Sequence, residues 1–293
     1  MSKIPIKKTG ALDERIETKY LQLSVLFVYL LVFMAIPISY IFYISFIKHD
    51  PYVIIGNEYT LEHYATLVFD SFYRSLMSYT VKLAFVVTVF SLLLGYPLGY
   101  YIARTTPLRR QLLLFLIFLP IMVGTVARTY GWIAILGTQG FLNDMLFALF
   151  GFRMSLLHTY GAVVVGLVGV LIPFVVLPVY SAVESIPRSY EKAARNLGAN
   201  RFQAFYKVTF PLSLPGAITG SIFVFVLTMS SIVVPKLLGG RTDNTLGSIM
   251  YDLATADLNW TFSSAMAVVL SLITLTLLYL YLKLIREPLE GNQ

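Results

Sequence analysis

The sequence predicts an all-α integral membrane protein with six transmembrane helices, and three observations predict it. Of its 293 residues 57% are hydrophobic and 13% charged, about half the charge of an average soluble domain. Six apolar runs reach the roughly 20 residues that a helix needs to cross a hydrocarbon core of about 30 Å. The Lys and Arg residues gather on alternate connectors between those runs, as a cytoplasmic face requires. Runs this long cannot hide in one globular core, which excludes a soluble enzyme. The net charge of +7 does not point to nucleic acid, because the basic residues lie between apolar runs rather than along one polar face.

Residues 1–20 carry five Lys or Arg and three acids, and about 26 apolar residues follow with no small-residue cleavage pattern. The run 21–46 therefore reads as an uncleaved, peripheral first span. The other five spans are expected at 75–103, 112–136, 161–183, 217–235 and 262–285, forming a core unit over 75–285, followed by a tail over 286–293. The N-terminal segment, residues 104–111, the loop 184–216 and the chain from Lys283 onward hold 15 of the 22 Lys and Arg. The opposite connectors hold five, Lys48, Arg74, Arg153, Lys236 and Arg241, and Lys82 and Arg128 lie within spans. Both termini are expected in the cytoplasm.

Pro37, Pro97, Pro120, Pro173 and Pro178 interrupt spans, and Gly95/Gly99 and Gly216/Gly220 have the small-xxx-small spacing that lets helices approach closely. Packing and kinks account for these features as readily as a translocation path does. No connector is long enough to fold as an independent domain. There is no cysteine, and His49, His63 and His158 form no metal-spaced pair, so neither thiolate chemistry nor a metal site is expected. The chain lacks any Gly-Lys pair and hence a phosphate-binding loop; it also carries no catalytic motif.

The loop 184–216 carries most information. Tyr190, Ala193, Ala194 and Leu197 recur at i, i+3, i+4 and i+7, one face of a short amphipathic helix. Ser189 is the expected N-cap, Glu191 suits the positive helix end, and Gly198 can adopt the left-handed conformation that ends a helix. Asn200 with Gln203 forms a second capping pattern, and Phe202, Phe205, Tyr206 and Thr209 form a second stripe that Pro211 should stop. Two such helices cannot bury their apolar faces alone, so one face should rest on the spans and the other on a partner. Interfacial binding to anionic lipid through Arg188, Lys192, Arg195, Arg201 and Lys207 is the competing reading of the same residues.

The run Glu191-Lys192-Ala193-Ala194-Arg195-Asn196-Leu197-Gly198, then nine residues, then Val208-Thr209-Phe210-Pro211, resembles the EAA loop of binding-protein-dependent ABC importer permeases. Ala193, Ala194, Gly198 and Pro211 match in register, while Lys192 stands where the pattern has glutamate and Glu191 comes one place early. A helix step of about 100° separates those two side chains, so a salt bridge inferred from the family need not form here. Further similarity to the spermidine/putrescine group lies in 128–143 and 234–240. The resemblance implies a type I importer transmembrane domain in which Tyr190, Glu191, Lys192, Ala193, Ala194, Leu197, Gly198 and Pro211 couple to an ATPase. It also implies a second permease chain, two ATPase subunits that hold the ATP and Mg, and a periplasmic or lipid-anchored binding protein, in a bacterial inner membrane.

Within the spans Arg128, Tyr130, Trp132, Phe223 and Phe225 are candidates for the translocation path, the aromatics as cation–π partners of a polyamine. No acidic residue lies in a span to meet a polycation, and Asp144, Asp243, Asp252 and Asp257 read as a solvated outer surface. An opine, amino acid, phosphonate or ferric-ion cargo is the alternative within the family. An autonomous secondary transporter is the alternative outside it, although such proteins place coupling carboxylates near mid-span. An intramembrane enzyme would need a convergent catalytic set that the sequence does not assemble.

Overall fold

The computed structural model describes residues 10–50, 56 and 58–290, with side chains at 24, 27–50, 56 and 58–283. The described residues are helical apart from connectors, which include an isolated bridge between Ile47 and Tyr59. In chain order the helices are α1 (Gly10–Ile44), α2 (Glu62–Phe69), α3 (Ser71–Arg104), α4 (Pro107–Met122), α5 (Thr125–Leu136), α6 (Phe141–Phe150) and α7 (Tyr160–Leu171). They continue with α8 (Pro173–Glu184), α9 (Arg188–Asn196), α10 (Arg201–Ala204), α11 (Phe210–Met229), α12 (Val233–Leu238), α13 (Leu246–Thr255) and α14 (Trp260–Glu290). Five stretches are long and apolar enough to cross a membrane, and α7 with α8 makes a sixth, bent by 43° at Pro173.

The centre of the molecule is α8, gripped from two sides. On α3, a Cβ added to Gly95 or Gly99 would lie 2.9 Å from the Val175 side chain or the Val176 carbonyl. On α11, a Cβ at Gly216 would lie 2.6 Å from the Pro178 carbonyl, and one at Gly220 2.9 Å from Val175 Cα. Both small-residue pairs thus let backbones meet on the same helix. Val175, Val179 and Val183 of α8 then fill the core with Leu83, Val87 and Val224. A second cluster joins α2, α3 and α11 to α14 through Leu67, Leu76, Met229, Phe262 and Met266. By contrast α1 exposes apolar side chains over most of its described length and rests on α14, the arrangement of a peripheral, lipid-facing helix.

The expected run 112–136 is not one helix. Pro120 has no amide to donate to the preceding turn, α4 ends at Met122, and Gly124 with an extended ψ of 145° caps α5. The stretch of spanning length is instead Thr125–Phe150, in which α5 and α6 follow each other across a short turn. Similarly, the run 217–235 divides at Ser230, where α11 ends before α12 begins.

Candidate coupling surface between the fourth and fifth spans

The short amphipathic helix expected after the fourth span is α9. Its N-cap is Pro187 rather than Ser189, which lies in the first turn, because the rigid φ of Pro187 already sets the chain on course for a helix. Glu191 sits in the first turn as expected. At the other end Gly198 has φ +91°, its N–H donates to Arg195 O at 3.0 Å, and Ala199 N–H donates to Ala194 O at 3.1 Å. These paired bonds are a Schellman ending, which requires a left-handed residue at this position. Asn200 and Gln203 then cap each other reciprocally at the start of α10.

Pro211 does not stop the second helix. Residues Phe205–Thr209 form a π-helical turn, with Phe210 N–H bonded to Phe205 O, and the helix continues through Pro211 into α11. Widening the turn is a recognised way of fitting an extra residue without ending a helix; here it admits the proline near the start of α11. The span 210–229 is therefore continuous with the loop helix that begins at Arg201.

Glu191 ties α9 to the spans despite its displaced register. Arg104 at the end of α3 donates Nε–H to Glu191 Oε1 at 3.1 Å, while its Nη2 lies 2.8 Å from the same oxygen. Thr209 Oγ1 donates to that oxygen at 2.7 Å from the π turn. Arg104 Nη1 also donates to Ile186 O at 3.1 Å, and Arg188 Nη2 donates to Arg104 O at 3.1 Å. A half-buried carboxylate thus joins three elements, where hydrogen bonds to a charged group each contribute about 1.5–3 kcal/mol. The sequence reasoning missed Arg104 and Thr209; Thr209 lay in the quoted motif and Arg104 among the basic residues that end the second span.

The opposite face of α9 is open. Tyr190 is 53% and Leu197 90% exposed, Ala193 and Lys192 are exposed, and Ala194 is half-buried above the spans. Phe202, 72% exposed, stacks beside Tyr206, which stacks on Phe210 at 5.9 Å between ring centroids. Phe205 instead turns inward against Tyr100 at 5.0 Å and Tyr96 at 6.1 Å. The loop therefore has one face locked to the spans and an apolar outer face with a small central residue, Ala193.

The path candidates do not converge on one site. Arg128 donates Nη1–H to Val170 O at 3.3 Å, and the Trp132 ring fills the space where a Cβ on Gly169 would stand, so both pack α5 on α7. Tyr130 and Phe223 are exposed on different helices. Phe225 lies against the second core cluster and, with Lys82, Phe85 and Tyr281, lines an apolar cavity of about 630 Å³. Asp243 departs from the expected solvated surface: it is 9% exposed, accepts from Tyr79 Oη at 3.2 Å and from Gly240 N at 2.9 Å, and so pins the 239–243 turn to α3. Asp144 pairs with Arg153 at 2.9 Å and Asp252 with Lys236. Among the described residues no three His, Cys, Asp or Glu side chains gather as a metal site would require.

Comparison with known proteins accords with this geometry. Residues 95–288 match the family described as binding-protein-dependent transport system inner membrane component. The spermidine/putrescine transport system permease protein PotB of Haemophilus influenzae is 34% identical over 88% of this chain and 91% of that protein. PotB of Escherichia coli is 31% identical over 86% of this chain and 92% of that protein. Among solved structures, a chain of a bacterial alginate ABC transporter in complex with an alginate pentasaccharide-bound periplasmic protein superposes with a TM-score of 0.71. It is 17% identical, with 94% of this chain and 96% of that one covered. By sequence and by fold, the chain belongs to the binding-protein-dependent transport system inner membrane component family, the permeases of ABC importers.

Proposed function

We propose that this permease imports a polyamine of the spermidine/putrescine type, and that α9 is the element through which a separate ATPase drives it. The observation that carries the coupling role is the two-faced loop, with Glu191 locked to Arg104 and Thr209 on one side and Tyr190, Ala193 and Leu197 bare on the other. An exposed Leu197 alone leaves about 2 kcal/mol of burial unrealised, and a partner groove that closes on Ala193 would recover it. The polyamine assignment is supported by the similarity to the two PotB proteins.

On this reading the chain binds no cofactor; ATP and Mg belong to two partner ATPases. A second permease chain completes the path, a periplasmic or lipid-anchored protein delivers cargo, and both termini and α9 face the cytoplasm. Closure of the ATPases moves α9, and the movement passes into α8 through residues 185–187 and into α11 through the continuous helix beyond Asn200. Selectivity resides mainly in the binding protein, because the carboxylates on the described spanning stretches, Asp144 and Glu184, are already paired with Arg153 and Arg110. Each aromatic face contributes only about 0.5–2 kcal/mol, which suits passage rather than capture.

The test is reconstitution of this chain with its permease partner, ATPase and binding protein in proteoliposomes, with labelled spermidine and putrescine outside. Uptake that requires ATP and the binding protein is the expected result. Uptake by this chain alone under an ion gradient would overturn the proposal, and ATP-driven uptake of another solute with polyamines rejected would replace the cargo.

A further inference from the structure

We propose that an arginine-lined cavity beside α9 holds the phosphate of an anionic phospholipid from the inner leaflet. The cavity, about 690 Å³, lies where the end of α3, the turn into α4 and the start of α9 meet. Arg104, Arg109, Arg110 and Arg188 line it, together with Tyr100 and Tyr101. Two of these cations are answered by carboxylates: Arg104 by Glu191, and Arg110 by Glu184 at 2.5 Å. Among the described residues Arg109 and Arg188 have no ion-pair partner, and Arg188 spends one nitrogen on the Arg104 and Thr105 carbonyls. The Nε–H of Arg110 is buried without an acceptor. Positive charge in excess, held in a concave site with low-dielectric walls, concentrates anions, and the guanidinium fork matches phosphate oxygens in geometry.

The surroundings select a lipid over a soluble anion. Helix α4, which begins at the cavity, buries none of its side chains in the molecule, and Leu108, Leu112, Phe115 and Leu116 stand exposed along it. A phosphate among the arginines would leave its acyl chains beside this apolar face. Tyr100 and Tyr101 on the cavity wall are suited to the headgroup level, where amphipathic rings settle. The site borders the Arg104–Glu191 tie, so its occupant would meet α9 at the point where that helix is anchored. The choice of leaflet rests on the topology proposed above; the choice of ligand does not.

Detergent-solubilised full-length chain, for which sidedness is immaterial, provides the test. Native mass spectrometry would read retained phosphatidylglycerol against phosphatidylcholine in wild type, Arg109→Gln, Arg109→Gln/Arg188→Gln, and the charge-matched Arg195→Gln/Lys207→Gln. Each arginine near an anionic surface is expected to matter about fivefold in affinity. Arg109→Gln should therefore lose about that much phosphatidylglycerol and the double variant more, with the charge-matched pair close to wild type. Because Arg109 is exposed and unpaired, its variant keeps the fold. Equal retention in all four proteins, or no preference over phosphatidylcholine, would overturn the site. Dihexanoyl phosphatidylglycerol should raise the melting temperature where inorganic phosphate at the same concentration does not; equal shifts would overturn the lipid as its source.

Discussion

Glu191 shows how a displaced residue can still provide the contact that the loop needs. The resemblance places a glutamate at position 192, and a helix step separates the two positions, yet it is Glu191 that faces Arg104 and Thr209 while Lys192 points to solvent. The partner matters as much as the motif letter: Arg104 ends α3 directly beneath the first turn of α9, and no one-dimensional pattern announces that. Glu191→Ala is expected to remove a charged, partly buried tie of about 1.5–3 kcal/mol and to raise ATP hydrolysed per substrate imported. Lys192→Ala should leave that ratio unchanged. The exchange Glu191→Lys/Lys192→Glu restores the family's letter but points the carboxylate away from Arg104, so it should behave like Glu191→Ala; recovery of normal coupling would show that the tie is not the working contact.

At the scale of elements, some local signals were legible, while others, Ser189 as an N-cap among them, gave way to a neighbour. The Gly198 ending and the Asn200–Gln203 cap depend on neighbours within a few residues, and both stand where the residue types place them. Pro211 reads as a stop because proline ends an α-helix, but a π turn lets the helix run on, and nothing in the residue pattern marks that turn. Likewise the apolar run 112–136 hides a break, since Pro120 and Gly124 separate α4 from α5 without interrupting hydrophobicity. The glycine pairs were legible as close approaches, though not that both converge on α8. For the path, aromatic residues were too numerous to single out a site, and the five candidates divide between α5 and α11, with Arg128 and Trp132 spent on packing α5 against α7. Gly198→Val forces a β-branched residue to φ +91°, a strain of about 1–2 kcal/mol. It should partly uncouple ATPase activity from uptake with membrane insertion intact, whereas Gly198→Asn, which tolerates that conformation better, should couple more nearly normally. Indistinguishable coupling in the two variants would remove the left-handed Gly198 turn from the mechanism.

For the whole molecule, the loop matters because of what it is bolted to. Helix α9 is joined to α8 on one side and, through the Gly198 turn and the helix that runs unbroken from Arg201, to α11 on the other, and α8 and α11 touch at backbone distance with α3 closing the third side. A displacement of α9 therefore meets a rigid wedge rather than a set of independent rods, because close-packed interiors transmit strain instead of absorbing it. The wedge has a direct test in side-chain volume. Gly216→Leu would drive a side chain into the Pro178 carbonyl and Ala182, and Gly99→Leu would do so against Val176 and Val179, each from its own side of α8. Overpacking of this kind costs about 1–3 kcal/mol or more. Gly131→Leu adds the same volume on α5, where a Cβ meets nothing within 4 Å. Purified chain should melt at a lower temperature with either wedge substitution and close to wild type with Gly131→Leu. In the assembled importer the two wedge variants should also lose uptake more than ATP hydrolysis, because under the proposed coupling role the ATPase would dock on an unaltered α9 and push against a loosened joint. If all three variants melt alike, the contact on α8 is not what makes the spans move as one body.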